Sequence, residues 1–113
     1  MRREIAYLKD ILDCIAKLER YLSGADQASF LADTCLQDAV IRNLEIIGEA
    51  VKCLPEAVKQ RQPQVPWKQV TRTRDLLIHH YFRVDLQIVW STVTQDLAPL
   101  KTAVTELLEE LEP

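Results

Sequence analysis

The chain has 113 residues, 48% hydrophobic and 27% charged, with a net charge of −3 at pH 7. That length predicts one domain over residues 1–113, with a core of its own and little room for a second function. The negative balance excludes a protein that coats nucleic acid through overall charge, so contact with a polynucleotide must come from a local basic patch. No apolar stretch approaches the roughly 20 residues that a membrane span needs. Met1-Arg2-Arg3-Glu4 leads into an amphipathic segment and not into a signal-peptide core. Cys14, Cys35 and Cys53 are odd in number and widely spaced, unlike a zinc or redox motif. They are expected to be small buried apolar residues in a reducing compartment, and the protein is expected to be cytoplasmic with no membrane partner.

Ile5, Leu8, Leu12, Ile15, Leu18 and Leu22 recur at steps of three and four and predict a first amphipathic helix. Ser23-Gly24 should stop it, because glycine most easily takes the left-handed closing conformation. Asp26 can cap the next helix. Phe30, Leu36, Val40, Leu44, Ile47, Val51 and Leu54 carry its stripe over about seven turns, with room for a break near Asp33-Thr34. Arg42, Asn43 and Glu49 lie among those apolar positions and read as a satisfied polar network or a dimer contact. Gly48 would let another helix approach closely. Pro55 ends the run and opens a short turn through Arg61.

Gln62-Pro63-Gln64-Val65-Pro66 is a loop, and Pro66 suits the start of a third helix. Trp67, Val70, Leu77 and Tyr81 mark its buried side. Asp85 can cap the last helix, lined by Leu86, Val89, Trp90, Val93, Leu97, Leu100, Val104, Leu107 and Leu111. Within it, either Pro99 kinks the helix or Asp96 caps a restart. No segment alternates as a strand would, and only two glycines are present. The expectation is an all-α, antiparallel up-and-down four-helix bundle with a short extra helix.

The chemistry concentrates in Arg74-Asp75-Leu76-Leu77-Ile78-His79-His80-Tyr81. Arginine offers a planar fork of donors matched to phosphate oxygens and stays charged. Histidine takes up or releases a proton near neutrality. His79 and His80 are the only histidines of the chain, and the densest basic cluster, Lys68, Arg72 and Arg74, adjoins them. A metal site from His79, His80 and Asp75 is disfavoured, since adjacent side chains diverge on a helix, so no metal or other cofactor is expected. At about 100° per residue, Arg74 and Tyr81 lie within roughly 20° of each other, whereas His79 is rotated about 140° from Arg74. Convergence of arginine and histidine then needs a helix end or bend near His79, or a second subunit. A twofold dimer packed along this segment would bring two copies of the octad across one cleft.

The octad resembles the R-x4-H-x-Y motif of the HepT-like toxins in the HEPN superfamily (the higher eukaryote and prokaryote nucleotide-binding helical domains). Arg42 through Ala50 resembles that family's second-helix signature, Val65-Pro66-Trp67 its lead-in to the third helix, and Tyr81 through Trp90 its exit. The resemblance implies a metal-independent endoribonuclease toxin of a type VII-like toxin–antitoxin pair, acting on RNA as a homodimer. It also implies an antitoxin partner, a minimal nucleotidyltransferase that transfers AMP to the motif tyrosine. Carried over position by position, Arg74 and His79 become the catalytic pair and Tyr81 the modified residue. Asp75, His80, Arg72 and Arg83 become supporting or RNA-binding residues.

This chain departs from the pattern at three points. Asp75 stands where asparagine is usual, His80 between histidine and tyrosine where glycine is frequent, and Arg83 at a further common glycine. A carboxylate beside a scissile phosphate repels it unless paired or protonated. His80 supplies a second candidate base and Arg83 adds positive charge. The alternative reading is a non-catalytic HEPN module that binds nucleotide or RNA, or that serves as a scaffold for a nucleotidyltransferase.

Overall fold

In the computed structural model, residues 2–79 and 83–112 are described, with the side chain of Arg2 left aside. Seven helices follow one another: α1 (Arg2–Tyr21), α2 (Gln27–Leu31), α3 (Thr34–Cys53), α4 (Glu56–Lys59), α5 (Trp67–His79), α6 (Leu86–Gln95) and α7 (Leu97–Leu111). Among the described residues there is no strand. The long elements α1, α3, α5 and the α6–α7 pair form the expected all-α helical bundle. None of the helices is long and apolar enough to cross a membrane.

The ends follow local chemistry. Gly24 closes the turn after α1 at φ +77, a conformation that costs a side-chain-bearing residue about 1 kcal/mol or more. Asp26 caps α2 by accepting from the Ser29 backbone N–H at 2.8 Å, and the Ser29 hydroxyl accepts from the Asp26 N–H at 3.0 Å. That reciprocal box holds the Asp26 carboxyl below the usual range. The break near Asp33-Thr34 is real: Asp33 accepts from Leu36 N–H at 3.0 Å and starts α3. Gln37 then ties the two helices, its buried amide donating to the carbonyls of Phe30 and Leu31. There are thus two short helices, α2 and α4, where one was expected.

The expected last helix is interrupted near Pro99, and the alternative of a restart capped by Asp96 is not what forms. Asp96 makes no capping bond through its side chain, and its own backbone is helical. Its N–H donates to Thr92 and its carbonyl accepts from Leu100. Pro99 has no N–H to return to the preceding turn, so the joint between α6 and α7 is an interruption in one helical path.

The core runs between α1, α3 and α7, where Leu8, Ile11, Leu18, Val40, Val51, Val104 and Leu107 are fully buried. Phe30 closes one end, its ring 5.4 Å from that of Trp90. α1 packs on α3 and α7, and α3 packs on α5. α5 buries two of its side chains, Trp67 and Leu77, fewer than α3 or α7. The Trp67 indole N–H donates to the carbonyls of Lys59 and Gln62, both at 3.0 Å, and pins the loop before α5. Toward α7, α5 leaves a cleft of about 390 Å³ lined by Leu44, Ile47, Val70, Leu97, Leu100 and Ala103, among others.

Cysteine placement corrects one expectation. Cys14 is buried, and burial pushes its thiol up. Cys35 and Cys53 are exposed, at the first turn and the last residue of α3, outside the packed stripe. At the acidic C-terminal end, Glu106 accepts from Gln62, Glu110 pairs with Arg61, and Glu112 pairs with Lys9.

Phe30→Ala should destabilise the fold by about 3–5 kcal/mol, since it empties a fully buried ring site. Urea unfolding followed by circular dichroism measures this, and a loss under 1 kcal/mol would show that the Phe30–Trp90 end is loosely packed.

Candidate active site at the seam of helices three and five

Gly48 on α3 decides where Arg74 sits. A Cβ at Gly48 would overlap the Cβ of Arg74 and stand 2.8 Å from its Cγ and 3.4 Å from its Cα. Any side chain at position 48 would therefore push α5 or the arginine stem away. The close approach expected of Gly48 is found, and the partner it admits is Arg74 itself.

Beyond that contact the guanidinium is forked by two carboxylates. Nη2 lies 2.9 Å from Glu49 on α3, and Nη1 lies 2.9 Å from Asp75 on α5. Arg74's side chain is 21% exposed, against 50% for Glu49 and 46% for Asp75. The pairs are half-solvated and contribute about 0–1 kcal/mol each. Their main effect is orientation: both terminal nitrogens are held in fixed directions, while the buried Nε has no hydrogen-bond partner among the described residues. Asp75, the departure that would repel a phosphate if left alone, is thus paired with an arginine.

The network continues from Glu49 to α1. The exposed Cys53 thiol lies 3.8 Å from Glu49 Oε1. Its hydrogen bond to the Tyr7 phenol, followed by its charge, pushes the phenol above the usual tyrosine range. Tyr7, Asp10, Arg42, Glu45, Glu49 and Arg74 are among the residues that surround an open hollow of about 430 Å³ between α1, α3 and α5. Of the two roles expected of Arg42, Asn43 and Glu49, a network or a dimer contact, the buried network is not what forms within the chain. Only Asn43 is buried, its amide donating to the Ala39 carbonyl at 2.9 Å; Arg42 and Glu49 are exposed.

His79 lies elsewhere. It is exposed and is the last described residue of α5. Both Arg74 and His79 are helical, so the separation of about 140° around the axis stands. Among the described residues, no hydrogen bond or ion pair joins the two. Asp75 and Arg72 share the outer side of α5, and Arg83 is exposed after the described gap. His80 and Tyr81, the second candidate base and the candidate modified residue, lie outside the described residues, as does Tyr81's expected place on the buried side. Among the described residues no group of three or more His, Cys, Asp or Glu is arranged to hold a metal ion.

Sequence reasoning missed Glu49, Cys53 and Tyr7 as neighbours of the site. The signal that could have found Glu49 was its place immediately after Gly48: the residue that admits a helix is followed by one that can hold the arriving cation.

Residues 11–107 match the family described as Ribonuclease HepT-like. The chain belongs to the HepT-like ribonuclease family. It is 45% identical over 95 residues to a protein of Thermococcus cleftensis named "Probable ribonuclease HepT", covering 84% of this chain and 86% of that one. It is 41% identical over 113 residues to a Methanocaldococcus jannaschii protein whose name joins gamma-glutamylcyclotransferase to "putative RNase". That match takes in 99% of this chain and 51% of the longer relative, so the chain spans about half of that protein. A Caldanaerobacter subterraneus protein named "Putative RNase" is 40% identical over 111 residues, 97% of this chain and 98% of its own length. No solved structure matches the chain.

Membership gives the Gly48–Arg74 contact a sharp test. A glycine-to-alanine change inside a helix ordinarily stabilises by up to about 1 kcal/mol. Gly48→Ala should instead destabilise by about 1–3 kcal/mol, because the new methyl overpacks the seam. Chemical denaturation decides the sign, and a stabilised variant would mean that α5 does not press on α3 at this point.

Proposed function

We propose that this HepT-like ribonuclease is a metal-independent endoribonuclease acting as a homodimer, and the toxin of a type VII-like pair silenced by AMP transfer to Tyr81. The observation that carries the reading is the arginine fork. Arg74 is set by Gly48, Glu49 and Asp75 in a member of this family, five residues before an exposed histidine on the same helix.

In this mechanism His79 takes the proton from an RNA 2′-hydroxyl. The 2′-oxygen attacks the adjacent phosphorus, the bond from phosphorus to the 5′-oxygen breaks, and that oxygen leaves with a proton taken from water, while His79 returns its own proton to solvent. Arg74 stabilises the charge that builds on the phosphoryl oxygens. The products are a cyclic 2′,3′-phosphate end and a 5′-hydroxyl end. Because the two side chains point to different sides of one helix, the reading pairs Arg74 of one subunit with His79 of another across a twofold axis. The exposed Leu76 on α5 and Ile88 on α6 offer apolar surface for that packing.

A second reading, a non-catalytic HEPN module that binds nucleotide or RNA or serves as a scaffold for the nucleotidyltransferase, has one observation in its favour. Arg74 is already engaged by two carboxylates, and among the described residues nothing joins His79 to it.

Purified protein should cut labelled RNA in excess EDTA and leave cyclic phosphate ends. Arg74→Ala should lose about 10²–10³-fold in kcat and His79→Ala about 10²–10⁴-fold, with helical circular dichroism and dimer mass unchanged. Cleavage undiminished in both variants sinks the catalytic assignment.

Tyr81 is the proposed control point. An AMP adduct brings a phosphate that can occupy the arginine fork RNA needs. Co-expression with a minimal nucleotidyltransferase supplied with ATP and magnesium should add one or more AMP units to the wild type, read by intact mass, and none to Tyr81→Phe. Neutralisation without any mass increase would assign the silencing to binding alone.

A further inference from the structure

Two hollows flank α5, and they differ in charge. On the Arg74 side, Arg42 and Arg74 face Asp10, Glu45 and Glu49. On the other side lies an open hollow of about 330 Å³ whose lining includes Lys52 from α3, Lys59 from α4, and Lys68, Arg72 and Asp75 from α5. Glu56 is the remaining acid of that lining, 3.7 Å from Lys59. Asp75 is already turned to Arg74. Among the described residues Lys52, Lys68 and Arg72 have no ion pair; the same holds for Lys17, Arg20 and Arg42, but those line hollows shared with Asp13 and Glu19 or with Asp10, Glu45 and Glu49.

The spacing along α5 gives this hollow a direction. Lys68, Arg72, Asp75 and His79 follow at steps of four, three and four, so they form one stripe within about 60° of arc. The stripe is about 16 Å long at 1.5 Å per residue, enough for more than one backbone phosphate. It ends at His79, the group assigned to the 2′-hydroxyl. In a chain whose overall charge repels polynucleotides, unpaired cations along the stripe that leads to that histidine form the local patch that binding requires.

We infer that Lys52, Lys68 and Arg72, with Lys59 behind them, form a track for the phosphate backbone of single-stranded RNA that delivers the strand to His79. The inference rests on the ribonuclease reading for its substrate class. The track contacts phosphates and not base edges, so it contributes affinity and register without sequence preference. Lys59 is 14% exposed and its stem is packed, so it is left intact in the test.

Binding is measured in the His79→Ala background, which holds RNA without cutting it, by anisotropy of a labelled single-stranded oligoribonucleotide over a range of salt. Three lost phosphate contacts at about 0.7 each should flatten the slope of log K against log salt by about 2 in Lys52→Gln/Lys68→Gln/Arg72→Gln. In the otherwise wild-type protein the same triple change should raise KM for RNA and leave kcat within a few-fold. A control with the same charge change, Lys17→Gln/Arg20→Gln/Lys101→Gln on α1 and α7, should keep the original slope. Lys52→Arg/Lys68→Arg/Arg72→Lys should restore it. An unchanged slope in the first triple variant, or an equal drop in the control, overturns the track. Unchanged RNA binding with weakened AMP transfer by the nucleotidyltransferase would assign the surface to a protein partner and overturn it as well. If the wild type fails to cut RNA while the slope still responds, the ribonuclease reading falls and the RNA track stands.

Discussion

The close packing of α3 and α5 at Gly48 is the constraint on which the site depends. Removing the side chain at one position lets the stem of Arg74 lie against the backbone of α3. The next residue along, Glu49, is then within ion-pair distance of the guanidinium. Asp75 holds the other terminal nitrogen from within α5 itself. Neither pair contributes much to stability at this exposure, so the fork is held by shape first and by charge second. Cys53 and Tyr7 extend the same arrangement to α1, which joins three helices of the bundle around one guanidinium.

This geometry separates two tasks that the octad combines in one string. The arginine turns inward to an acidic hollow, and the histidine stays on the outer stripe with Lys68 and Arg72. A helix can place residues five apart on such different sides with no distortion at all, because its period forces it. On the proposed reading, a second subunit brings the two groups to one phosphate. The half-exposed Leu76, at 50%, lies about 60° beyond His79, on the side of the helix away from Arg74.

Much of the fold was legible because α1, α3 and α7 each bury one periodic stripe, and a stripe of that length overrides local ambiguity. The break at Asp33-Thr34 was visible as a capping residue. At Pro99 two outcomes remained open, since a lost hydrogen bond predicts an interruption without saying whether the chain restarts beyond it. The angular separation of Arg74 and His79 followed from arithmetic alone. The partners of Arg74 did not, because Glu49 meets it only through the register between α3 and α5, and register is a tertiary quantity. Cys35 and Cys53 were misplaced for a related reason: composition describes what cysteine prefers, while the helix period decides which side each one occupies.

The thin anchoring of α5 has a kinetic side. The helix is held by packing on α3 and by two buried side chains, Trp67 and Leu77, whereas α1, α3 and α7 share the continuous core. Segments with few buried contacts open at a lower free energy than the global unfolding of the protein. Amide hydrogens along α5 therefore exchange with solvent sooner than those of α1 or α7. An opening confined to α5 would part Arg74 from Glu49 on α3 while the core shared by α1, α3 and α7 stayed packed.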